Sequence, residues 1–102
     1  MSKQQLDPKT RRRIILEAAI KVCRETGLHG ITRNQIAQVA NVGDGTVNLH
    51  FNTMPKLRDA VMRHAVRIQD PAILAEMLVH PKHKKKLSDA NKKLAIDYLL
   101  GQ

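Results

Sequence analysis

Residues 31–51, ITRNQIAQVANVGDGTVNLHF, decide how this chain reads. They look like two short helices joined by a tight turn. The first spans about Thr32 to Ala40. Thr32 is a good N-cap and Gln35 stands three residues on, the spacing of a capping box. Ile36, Ala37 and Ala40 share one helical face. Asn41 follows, and asparagine tolerates a left-handed turn better than most residues. Val42 is apolar and can tuck beneath both helices. Gly43 is an acceptable N-cap, and Asp44 suits the positive end of the helix it begins. That second helix, roughly Asp44 to His50, opens with the short side chains of Gly45, Thr46 and Asn48, which allow close approach to another surface. The pattern predicts a helix–turn–helix that presents its second helix to a DNA major groove.

The totals agree with that reading. A chain of 102 residues suits one domain. Helix formers dominate and no stretch alternates with period two, so an all-α protein is expected. Phe51 and Tyr98 are the only aromatic residues, too few to grip single strands by stacking bases. The formal charge is +9, from 18 Lys and Arg against 9 Asp and Glu. Such a surplus attracts polyanions. Residues 1–69 hold 12 basic and 5 acidic groups, +7, and residues 70–102 hold 6 and 4, +2. The excess therefore travels with the helix–turn–helix half. One cysteine, Cys23, permits no internal disulfide and fits a reducing cytosol. No apolar run approaches the ~20 residues of a membrane span, and the N-terminus lacks a signal-peptide core. The expected location is the bacterial cytoplasm or nucleoid, with no membrane partner.

Around the central stretch, residues 1–8 are expected to form a flexible arm. Lys9, Arg11, Arg12 and Arg13 follow at the start of a helix, where positive charge opposes the helix dipole. Their use is then to lie along phosphates or reach into a minor groove. This first helix runs from Lys9 or Thr10 to Thr26, with Ile15, Leu16, Ala19, Val22 and Cys23 inward and Gly27 closing it. Thr53 as N-cap and Pro55 in the first turn start a long helix reaching Ile68 or Gln69. Leu57, Val61, Ala65 and Ile68 line its inner face, and it is expected to pack across the previous three helices. Asp70-Pro71 restarts the chain as N-cap and N1, and Pro81 stops that helix. Its Ile73, Leu74, Met77 and Leu78 need a partner. His80 and His83 have no cysteine or convincing acidic ligand near them in the sequence, so HPKHKKKLS reads as a solvated basic linker and no metal is expected. Ser88 caps a last helix, Asp89 to Leu100, with Leu87, Ala90, Leu94, Ala95, Tyr98 and Leu99 on one side.

Ile15-Leu16-Glu17-Ala18-Ala19, Gly27, Thr32, Ile36-Ala37, Ala40-Asn41-Val42, Gly45-Thr46-Val47, His50-Phe51 and Leu57 together resemble the DNA-binding domain of the tetracycline-repressor (TetR) family. The resemblance covers about residues 10 to 65. It implies a three-helix DNA-binding domain, with the helix from Asp44 to His50 in the groove and a long helix linking it to a dimerisation region. Residues 9–69 would be that domain and 70–102 a short helical dimerisation segment. Several positions depart from the family's pattern. Asn41 replaces a usual glycine, and Gly43-Asp44 a usual Ser-Lys. Asn48 and His50 replace tyrosines, and Met54 a lysine. These changes remove customary phosphate contacts. Family members also carry a helical domain around a small-molecule pocket. The 34 residues after Ile68 are too few to enclose one, so neither a sizeable effector nor a cofactor is expected.

The functional expectation is a sequence-specific regulator of transcription on double-stranded DNA, a repressor in the first instance, acting as a homodimer and encoded on a phage or plasmid. Asp44, Thr46 and Asn48 would face bases, because Asp can accept from cytosine and Asn can pair twice with adenine. Gly45 would permit close approach, Leu49 would offer an apolar contact, and His50 would complete the helix. Arg33 and Asn34 would meet phosphate or a base edge, with the Thr32 N–H on phosphate. Lys9, Arg11, Arg12, Arg13 and Lys56 would supply charge. Two alternatives stand beside this: an antirepressor-type interaction protein, suggested by the missing lysines at positions 44 and 54, and a nonspecific architectural DNA binder. No nucleophile–base pair, carboxylate couple or phosphate-cradling glycine loop suggests an enzyme.

Overall fold

The computed structural model describes residues 7–101. Six helices follow one another: α1 (Pro8–Thr26), α2 (Arg33–Ala40), α3 (Asp44–His50), α4 (Met54–Ile68), α5 (Pro71–Leu78) and α6 (Asp89–Leu100). Short 3-10 turns at Leu28–Gly30 and Lys84–Lys86 complete the path. There is no strand among the described residues, so the fold is all-α. Residues 1–6 of the expected arm lie outside the described residues. Asp7 and Pro8 belong to the helix start instead. The Asp7 carboxylate accepts from the Thr10 N–H at 2.7 Å, and Pro8 is the first helical residue.

Side-chain caps explain most helix starts, because each satisfies an N–H that the helix leaves without a partner. Thr32, Thr53, Asp70 and Ser88 accept from the N–H three residues on, each at 3.2 Å. Gln35 closes the Thr32 cap differently from a capping box. Its Oε1 accepts from the Thr32 hydroxyl at 3.0 Å. Asn41 takes the left-handed conformation, φ 59° and ψ 47°, and the Val42 N–H returns to the Ala37 carbonyl. Gln69 ends α4 in the same region, φ 56°. Gly27 has φ 83°, open to glycine at no steric cost, and its N–H closes α1 on the Cys23 carbonyl.

One apolar core runs through the molecule. Ile15, Leu28, Ile36, Val47, Leu57 and Val61 are fully buried, and the cluster continues through Ile73, Leu74 and Met77 to Leu87 and Ala95. This corrects the expectation for α5. Its apolar stripe is enclosed by the chain's own α6, α4 and α1, and is not open to a twin chain. It corrects α4 as well. That helix packs chiefly on α1 and α5. Ile68 is left half exposed, and Met62 is buried in its place. Asp70 reverses the chain so that Met77 faces Met62 and Val66 across a groove. In α6 the inward residues are Asn91 and Ala95, with Leu94 partly covered, while Ala90, Tyr98 and Leu99 stay exposed. A polar residue can sit inside here because the Asn91 Oδ1 accepts from the Gln69 Nε2 at 3.1 Å.

Two polar ties hold α5 to the first half of the chain. The Arg24 guanidinium pairs with the buried Asp70 carboxylate, its Nε donating at 2.9 Å. The Leu28 N–H donates to the Glu76 carboxylate at 2.6 Å. Cys23 lies beneath them. Burial first, then Glu76 and Asp70, push its thiol up to about 12. A thiol held protonated in this way is an inert core group. Among the described residues, no helix is long and apolar enough to cross a membrane.

Candidate nucleic-acid interface

Helix α3 is pinned from below. Val47 is completely buried within it, and Phe51 is buried just past its end. The opposite face is open: Asp44, Gly45, Asn48 and Leu49 are exposed and Thr46 is half buried. Gly43 caps this helix without a side-chain hydrogen bond. A Cβ built on Gly43 or Gly45 would meet nothing within 4 Å. The protein's own packing therefore does not require glycine at position 45.

A basic surface lies beside this face. Lys9, Arg12 and Arg13 are exposed and Arg11 is half buried. All four are helical, so they project from the first two turns of α1 and do not run as an extended arm. The Arg12 guanidinium lies 4.5 Å above the centre of the Phe51 ring, a cation–π contact that holds it near the end of α3. Arg12, His50, Phe51, Lys56, Asp59 and Arg63 line a cleft of about 290 Å³. The fold thus gathers three expected residues, Arg12, His50 and Lys56, and adds Phe51, Asp59 and Arg63 beside them. Arg63 stands seven residues from Lys56 and so on the same face of α4, a signal present in the sequence. Phe51 stands out in the sequence only as one of two aromatic residues and as part of the family resemblance. Asp59 tempers the charge by pairing with Arg63 at 3.1 Å and Lys86 at 3.6 Å.

The remaining expected residues are placed unevenly. His50 turns toward the cleft, its ring tilted against Phe51 with centroids 6.5 Å apart. Its Nε2 is shut from solvent without a partner. Burial, then Arg11 and Arg12, hold its pKa below the ordinary imidazole value. Arg33 differs most from expectation. Its guanidinium donates to the Asn52 carbonyl at 3.2 Å and clasps α2 to the loop after α3. Asn34 is exposed and accepts from the Gln38 amide at 3.1 Å. Thr32 is occupied as the cap of α2.

Residues 15–61 match the profile described as bacterial regulatory proteins, tetR family. Over these residues the helix–turn–helix of this chain is similar to the TetR family. The chain is similar to the HTH-type transcriptional regulator BetI of Burkholderia thailandensis, 37% identical over 57 residues, covering 56% of this chain and 29% of that protein. The BetI proteins of Burkholderia cenocepacia and Burkholderia ambifaria match with the same identity and coverage. The chain thus spans 29% of the length of these relatives. No solved structure matches. The TetR-family match runs from Ile15 within α1 to Val61 within α4 and takes in the whole of α2 and α3. Lys9 to Arg13 and Arg63 lie outside it.

Proposed function

We propose that this chain is a sequence-specific DNA-binding regulator of transcription that represses by occupying its operator. The observation carrying this reading is the pairing of two surfaces. The open face of α3 sits beside a cleft with three cationic side chains, Arg12, Lys56 and Arg63. In this reading Asn48 and Asp44 read bases, Thr46 supports them, and Leu49, with three quarters of its surface exposed, meets a thymine methyl. Gly45 allows the backbone to approach closely. Lys9, Arg11, Arg12, Arg13, Lys56 and Arg63 hold phosphates and set the angle of docking. Arg33, Thr32 and His50 act indirectly, by fixing where α3 stands.

Two copies bind together, because a two-fold operator favours a two-fold protein. The apolar side chains left outside on α6, Ile96, Leu99 and Leu100, are where the second copy sits. The test is selection of duplexes from a random pool, followed by a salt titration on the winner. If six to ten phosphates are met, affinity falls roughly 10³–10⁵-fold between 50 and 200 mM salt. Retention of no duplex would favour the antirepressor-type reading, for which the acidic Asp44 on the open face of α3 is the supporting feature. Equal retention of all duplexes would favour an architectural role.

A further inference from the structure

The segment after α5 returns to the turn between α1 and α2. His80 and His83 there meet His29, more than fifty residues away in the chain. The three rings stack. His80 and His83 have centroids 4.0 Å apart, His29 and His80 5.3 Å, and His29 and His83 5.7 Å, with planes inclined by 14–20°. One nitrogen from each ring lies within 4.8 Å of the others. Among the described residues no other such group of three is found. Both nitrogens of His83 are shut from solvent and lack a hydrogen-bond partner. Buried polar atoms are ordinarily satisfied, so this pair asks for a ligand. In His80 the Nδ1 accepts from the Lys82 N–H at 3.1 Å. That bond uses the Nδ1 lone pair and puts the neutral ring's proton on Nε2, so His80 ligates an ion only when its ring turns out of this bond.

We propose that His29, His80 and His83 form a binding site for a late first-row divalent metal ion. The donor chemistry selects the class. Three imidazoles and no oxygen ligand suit Zn²⁺, Ni²⁺ or Cu²⁺ and not Mg²⁺ or Ca²⁺. A tetrahedral ion bonded to nitrogen at 2.0–2.1 Å holds its ligand atoms about 3.3 Å apart. The rings stack with nearly parallel planes, so a shared ion requires the three side chains to turn about χ1 and χ2 until their nitrogens converge. The fourth position is left open to water or a small anion. Lys82, Lys84, Lys85 and Lys86 oppose a cation. They are exposed, however, so water and salt screen them, and Lys86 is paired with Asp59. Bound metal would fasten the turn leading into α2 to the segment following α5, adding a third tie beside those of Arg24 and Glu76.

Calorimetric titration of the chain, made without a histidine tag, with ZnCl₂ tests the site. The expected result is one Zn²⁺ per chain, a higher Tm with Zn²⁺ than without, and no response to MgCl₂. His29→Ala and His83→Ala should each weaken Zn²⁺ binding about tenfold or more, since loss of an outer-shell partner alone costs that much. His29 is exposed, so its replacement should leave the far-ultraviolet dichroism unchanged and the loss attributable to the ligand. Failure of the parent to bind Zn²⁺ would overturn the site. So would parent-like affinity in either single variant.

Discussion

Gly45 and His64 make opposite demands at the scale of a single residue. A methyl group on Gly45 would touch nothing within the protein. Gly45→Ala should therefore keep the fold, and gain up to about 1 kcal/mol from the better helix former. If α3 lies flush on the bases, the same methyl group stands between protein and DNA. The variant should then melt no lower than the parent and bind its selected duplex more weakly. Melting and gel-shift titrations, run side by side, separate the two effects. His64 is buried, and its Nδ1 lies 3.0 Å from the Arg67 guanidinium, a donor that the neutral ring can accept from. Burial first and Arg67 second hold its pKa below the ordinary imidazole value, and His50 is shifted the same way. A folded pKa below the unfolded one favours the neutral ring in the folded state. That stability is complete above pH 6.5 and is lost as pH falls through the folded values. Urea unfolding should give a lower midpoint near pH 5.5 than near pH 7.5, before carboxylates protonate. A higher midpoint on acidification would contradict the assignment.

Helix ends and helix faces differ in how openly the sequence declares them. Ends are local. Thr32, Thr53, Asp70 and Ser88 cap as their spacing requires, and Asn41 takes the left-handed turn its side chain tolerates. Asn41→Ala should cost about 1 kcal/mol and Asn41→Gly very little, as thermal melts would show. Asp70 both caps α5 and receives Arg24 from α1, so Asp70→Ala should cost roughly 2–4 kcal/mol. A loss below 1 kcal/mol in chemical unfolding would refute its double role. Faces depend on what the chain brings to them. Helix α5 is apolar nearly all round, so periodicity could not say that α6, α4 and α1 would enclose it. Ile68 lies on the α4 stripe yet is half exposed, because α5 covers the Met62 side. The His29–His80–His83 cluster and the Arg33–Asn52 clasp were illegible for the same reason. Their members are distant in sequence, and no local rule relates them. In the site itself, the open face of α3 could be read from short polar residues around a buried Val47. The turning of His50 into the cleft, beside Arg12 and Phe51, could not.

In the whole molecule the proposed reading helix stands beside a charged flank, and two-fold pairing would double both. Sedimentation equilibrium should find a dimer that Leu99→Lys on the exposed side of α6 weakens. A parent that stays monomeric alone and on its duplex would remove the symmetric part of the proposal. The central claim is narrower: that α3 chooses sequence. Its most direct test is selection of duplexes from a random pool by the parent and by the Thr46→Ala/Asn48→Ala double variant, read by sequencing. The parent should enrich one two-fold sequence, and the double variant should retain DNA without enriching it. Enrichment of the same sequence by both proteins, to the same degree, would contradict the account.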